Sequence, residues 1–191
     1  SISSNQLEYL FVRSSYRDIP INQETREAER FYTSVVSKNW RNLNLYERSL
    51  LSIVLKRNGE KELAAQIVKS IRERAVVNAK QGMYWPNNKN KTFLTMSAVC
   101  NHVFLMKALM ENGASDKEID QMKQWLIKQK QTQVWESTNA TIDAINILLG
   151  TGSDWFAEDG TGTVVKVGSE TIDMKLKEAG TGNVKTTWNV S

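Results

Sequence analysis

The chain has 191 residues, 40% of them hydrophobic and 24% charged, with a formal net charge of +4. That is enough for one domain and part of a second, with a real core. Acidic residues run through every basic stretch, which argues against a concentrated nucleic-acid face; one cysteine excludes an internal disulfide framework; no apolar run is long enough to cross a bilayer.

Residues 1–150 hold both prolines, Pro20 and Pro86, and only four of the ten glycines. This scarcity of breakers predicts a helical domain. Seven helices are expected, at residues 4–17, 24–39, 44–57, 60–79, 94–111, 116–130 and 137–149. Gly59 and Gly113 serve as C-terminal caps. Ser115 with Glu118 forms a capping box, and Ser137 or Thr138 caps the last helix.

The charge content of these helices alternates: in order they carry 3, 6, 4, 7, 2, 7 and 1 charged residues. Odd-numbered helices such as "SAVCNHVFLMKALM" are apolar nearly all round, so they are buried on most sides. Even-numbered helices carry one apolar stripe, as at Leu63, Ile67, Ile71 and Ala75, and a solvated face. An inner–outer alternation suits a two-layer array of helical hairpins better than a simple four-helix bundle. Trp40, Trp85 and Trp135 each stand between an outer helix and the next inner one, at spacings of 45 and 50 residues, and are expected to wedge those joints.

Beyond residue 150 the texture changes. Six glycines and the alternating runs "TVVKVG", "TIDMKLK" and "VKTTWNV" predict short strands over residues 151–191. The fold class is thus mainly α, an α/α hairpin array over 1–150 followed by a short antiparallel β segment over 151–191. Ser1 is not a natural start and the chain stops inside a strand-like run, so a fragment of a longer polypeptide is expected, its β segment incomplete without the rest.

No catalytic set, metal-ligand spacing or cofactor motif emerges, so catalytic, metal and cofactor residues are all expected to be none. His102, the single histidine, sits mid-helix among Val99, Val103 and Met106 and reads as structural. Nothing electropositive flanks Cys100, so it reads as a buried thiol. Asn139, Asp143 and Asn146 make a polar stripe on the apolar last helix. That stripe serves either to line a cleft or to hydrogen-bond a neighbouring helix end or loop. The lysines of "NNKNK" and "KQKQ" read as solvation of outer surfaces, with no aromatic platform interleaved.

The segments "GMYW" (82–85), "MKQWLIKQKQTQVWESTNATIDAINILLGTGSDW" (122–155) and "EAGTGNVKTTW" (178–188) resemble bacterial alpha-2-macroglobulin family proteins. "YLFVRSSYRDIP" and "LNLYERSLLSIVLKRNGEKELA" fit the same family. The resemblance covers nearly the whole chain, matching the later part of the thioester-type helical domain and the β segment after it. It implies a partial α/α toroid, about half of six hairpins, within a large extracytoplasmic protein that inhibits proteases by trapping them. Implied partners are other domains of the same polypeptide and, through the whole protein, proteases; neither nucleic acid nor membrane insertion by this segment is expected. Many members carry a Cys-x-Glu-Gln thioester. Here Cys100 precedes Asn101, His102 and Val103, and "PNNKNKTF" lacks the histidine of complement-type relatives. The alternative is an α/α-toroid enzyme resembling terpenoid cyclases and prenyltransferases, although their DxDD and DDxxD motifs are missing.

Overall fold

The structure is a computed structural model that describes residues 3–86, 97–132, 135, 137–151, 165–167 and 170–172. The chain divides into two compact units, Ser1–Thr151 and Gly152–Ser191.

The first unit is mainly helical. Its described helices are α1 (Ser4–Ser15), α2 (Gln23–Lys38), α3 (Leu45–Arg57), α4 (Lys61–Arg72), α5 (Ala98–Glu111), α6 (Asp116–Thr132) and α7 (Thr138–Gly150). Local chemistry sets most of these boundaries. Ser3 with Gln6 and Asn44 with Glu47 form reciprocal capping boxes at α1 and α3, and Asn22 caps α2 through the Thr25 amide. Ser115 and Glu118 form the expected box before α6. Of the two candidates for α7, Ser137 is the cap, accepting from the Ala140 amide at 3.1 Å. Gly59 and Gly113 follow α3 and α5 with φ of 88° and 80°.

The odd helices pack in chain order, α1 on α3, α3 on α5 and α5 on α7. The even helices lie against them: α4 on α3, α6 on α5, and α2 more sparsely on α1. Burial follows the charge pattern. In α3 every residue from Tyr46 to Leu55 except Glu47 is buried, whereas α4 buries only Ala64, Ile67, Val68 and Ile71. Part-exposed ion pairs tie neighbouring helices within each layer: Arg57 of α3 to Glu111 of α5 at 2.5 Å, and Arg72 of α4 to Glu118 of α6 at 2.8 Å.

Two helix boundaries need correction. The fourth helix ends at Arg72 rather than continuing to 79, and the chain turns into an antiparallel pair, β1 (Val76–Asn78) with β2 (Gly82–Tyr84). Val76 and Val77 are β-branched, and Asn78 turns the chain by accepting from the Lys80 amide at 2.7 Å. Gly82, with φ of 81°, packs so tightly on α6 that an ideal Cβ there would lie 2.0 Å from the Gln121 carbonyl oxygen. The fifth helix begins at Ala98, capped by Ser97 through the Cys100 amide; residues 94–96 lie outside the described residues.

In the second unit the described residues form one antiparallel pair, β3 (Val165–Val167) with β4 (Glu170–Ile172), in the register Val165↔Ile172. The remaining strand-like runs, including "VKTTWNV", lie outside the described residues.

Candidate functional site

The four odd helices line an open hollow of about 280 Å³. Glu8 comes from α1, Tyr46 from α3, Cys100 and Phe104 from α5, and Asn139, Ile142 and Asp143 from α7. Two members of the expected polar stripe therefore reach it. Asn146 is exposed on α7 and does not line it.

The hollow is built from aromatic walls and acceptor groups. The Tyr46 ring stands edge-on to Phe104, with centroids 5.2 Å apart, and Phe104 meets Phe11 in the same way at 5.6 Å. The Tyr46 hydroxyl donates to Glu8 Oε1 at 3.1 Å. Burial, reinforced by the Glu8 charge, holds this phenol protonated well above its ordinary range. Cys100 is 4% exposed. Burial pushes its thiol pKa up; the Ser97 hydrogen bonds pull it down, and the Asp143 carboxylate pushes it up again. A thiol raised in this way lacks the thiolate character of a nucleophile. The hollow thus offers two carboxylates and an amide to a hydrogen-bond donor, with its phenol and thiol both protonated at neutral pH.

His102 lies elsewhere, sealed from solvent between α5 and α6. Its ring stacks on Trp125 at 4.3 Å and meets the edge of Trp85 at 5.5 Å. Nε2 lies 3.1 Å from the Met122 carbonyl oxygen, so Nε2 carries the proton and donates. Nδ1 has no partner among the described residues. Complete burial lowers the imidazole pKa to about 3, only partly countered by the Met122 bond, so the ring is neutral at physiological pH.

All three joint tryptophans are buried. Trp40 occupies a 3₁₀ turn, residues Trp40–Asn42, between α2 and α3, with the guanidinium groups of Arg41 and Arg48 over its ring. Buried Arg48 donates to the carbonyls of Leu43 and Arg41 at 2.9 and 2.7 Å, fixing the turn. Trp85 follows β2 and donates from Nε1 to the Ile71 carbonyl at 2.9 Å, closing the end of α4. Trp135 lies between α6 and α7, with the Lys130 ammonium 5.2 Å from its ring centroid.

Among the described residues, no group of three or more His, Cys, Asp or Glu side chains is placed to hold a metal ion, and no helix is long and apolar enough to cross a membrane. Sequence reasoning found Asn139, Asp143 and Cys100 but did not bring in Glu8, Tyr46 and Phe104. Their only sequence signal was membership of the odd, buried helices. No protein-family model, curated protein or solved structure matches the chain.

Proposed function

We propose that this chain is a structural and interaction module of a bacterial alpha-2-macroglobulin-like protease trap. On this reading it forms part of an α/α toroid in an extracytoplasmic protein, and its row of odd helices continues into neighbouring hairpins of the same polypeptide. The observation that supports this most is the chemistry of the row's two ends. On α7, Ala140, Ala144 and Ile147 are buried, while Ile142, Ile145 and Leu149 remain 44–59% exposed. On α1, Leu7 and Leu10 are buried, while Tyr9 and Val12 on the helix and Tyr16 at its end are 48–54% exposed. Both exposed sets have i, i+3, i+7 spacing, the stripe that docks a further helix. Covering the exposed half of Ile142, Ile145 and Leu149 gains about 1 kcal/mol each.

The sequence resemblance supplies the identity of the larger assembly, and Cys100 supplies no thioester within this chain. Residues 100–103 lack the Cys-x-Glu-Gln order, and the thiol is buried.

Hydrogen exchange of the chain alone and within its complete gene product tests the continuation. Amides of α1 and α7 should slow at least about tenfold in the longer protein, while those of α3, already enclosed, stay unchanged. Equal exchange of α1 and α7 in both contexts rules out continuation of the row at either end.

The competing reading is a toroid enzyme with a central cleft, and the hollow around Asp143 is the feature that favours it. A ligand of that cleft should protect the Cys100 region and lose affinity in Asp143→Asn. If a screen of small amines and isoprenoid alcohols yields no such ligand, that reading loses its support.

A further inference from the structure

A cavity of about 850 Å³ lies between α1 and α2, with no lining residue in common with the hollow around Asp143. In a packed helical hairpin the facing positions are apolar and interdigitate. Here they are not. The α1 side presents Leu10, Arg13, Ser14 and Arg17, and the α2 side presents Arg26, Glu29, Arg30, Thr33 and Ser37. Leu10, Arg13 and Ser14 lie along one face of α1, with Arg17 in the turn just beyond its end, and the α2 set follows i, i+3, i+4, i+7 spacing as a continuous helix face. Helix α2 itself buries only Thr33 and Val36. The two helices leave a groove because the stripes that face each other are cationic and hydroxylic.

The charges in that groove do not balance internally. Glu29 is committed to Arg13 at 3.3 Å and also accepts from the Tyr9 hydroxyl. Arg13 is further held by the carbonyls of Tyr16 and Ile19. Arg17 donates to the neutral Asn58 amide oxygen. Arg17, Arg26, Arg30 and Lys38 form no ion pair among the described residues. Among the described residues, the only other carboxylate lining the groove is Glu60. Like charges across a gap repel, and a ligand bringing carboxylates removes that cost. Beneath this rim the floor is apolar: Leu10 and Val54 are buried, with Leu63 and Ile21 beside them. The Ser37 Oγ is buried and has no hydrogen-bond partner among the described residues.

We propose that the α1–α2 groove is a docking site for an acidic peptide segment carrying an apolar side chain. Guanidinium forks pair bidentately with carboxylates, and the floor takes the apolar side chain. The volume lies within the range of ordinary ligand sites and far exceeds a single inorganic anion. Single-stranded nucleic acid fits less well, because none of the described residues lining the groove is aromatic and so none offers a base a stacking surface. This assignment does not depend on the protease-trap reading.

The test uses fluorescence anisotropy with a fluorescein-labelled peptide in which glutamates flank a central leucine. Controls are the lysine-for-glutamate peptide, the leucine-to-alanine peptide and a duplex oligonucleotide. The acidic peptide should bind at least about tenfold more tightly than its lysine counterpart, with affinity falling as salt rises. Both arginines on the exposed side of α2 can be reversed in Arg26→Glu/Arg30→Glu. That variant should weaken binding about tenfold or more with an unchanged circular dichroism spectrum. Arg26→Gln/Arg30→Gln serves the same purpose if charge reversal disturbs folding, and the alanine peptide should also bind more weakly. Equal affinity for the two charge types, or equal affinity of variant and parent, overturns the proposal. Tighter binding of the oligonucleotide, lost in the same variant, overturns the peptide assignment in favour of nucleic acid.

Discussion

His102 should make the fold acid-sensitive in a window that its burial defines. The ring is fully enclosed by Trp85, Trp125 and the Met122 carbonyl, and its pKa falls from an ordinary 6.5 to about 3. Above pH 6.5 neither state binds the proton and the group contributes nothing to the pH dependence. Between pH 6.5 and 3 the unfolded chain binds the proton and the folded chain does not, so stability falls as pH falls. At about 1.4 kcal/mol per unit of separation, this loss reaches about 2 kcal/mol at pH 5 and about 3 kcal/mol at pH 4. Carboxylates such as Glu118, whose pKa is lowered chiefly by its hydrogen bond to Arg72, add losses of the same sign at lower pH. A variant must therefore isolate the histidine. His102→Phe keeps a ring between the tryptophans and removes the titratable nitrogen. Urea unfolding followed by circular dichroism at pH 7, 6, 5 and 4 gives each stability. The parent should lose about 2 kcal/mol more than the variant between pH 7 and 5, whatever constant offset the substitution introduces. Parallel pH profiles for the two proteins would mean that the imidazole protonates inside the fold without penalty, and the burial argument would fail.

Three further outcomes follow from the same packing. Trp135→Ala should destabilise the first unit by about 3–5 kcal/mol in denaturant titration; a cost under about 1 kcal/mol would show an exposed ring rather than a wedge. Cys100, buried and with its thiol pKa raised, should react with a disulfide reagent at pH 7 only at the rate of unfolding, and rapid labelling of the native protein would contradict its burial. Gly82→Ala should cost at least about 2 kcal/mol, because the new Cβ meets the Gln121 carbonyl and the backbone holds φ at 81°; a neutral result would show that β2 does not press on α6.

The helices were legible because their signals are local. Ser115 with Glu118, Ser137 and the charge alternation all act within a few residues, and the structure places them as the sequence implied. The β1–β2 hairpin was hidden because Ala75 continues the apolar period of α4. Asn78 makes the local turn, but what holds the hairpin in place is Gly82 seated on Gln121 and the Gln124 amide donating to the Ala79 carbonyl, both contacts from a distant helix. The hollow was half legible for the same reason. Asp143 and Asn139 were conspicuous as polar residues on an apolar helix, but the pairing of Glu8 with Tyr46 joins two helices that only the tertiary packing brings together. The α1–α2 groove was masked by composition, since arginines on an outer helix look like ordinary solvation until both faces are seen to meet.

The central claim, membership of a protease trap, is tested most directly on the complete gene product that carries this chain. A stoichiometric excess is incubated with an active endopeptidase, and residual activity is measured on a small chromogenic peptide and on a large protein substrate. A trap encloses the enzyme and leaves its active site open, so cleavage of the small peptide should persist while cleavage of the large substrate falls by about tenfold or more. Equal loss of both activities, or no loss of either, would contradict the account.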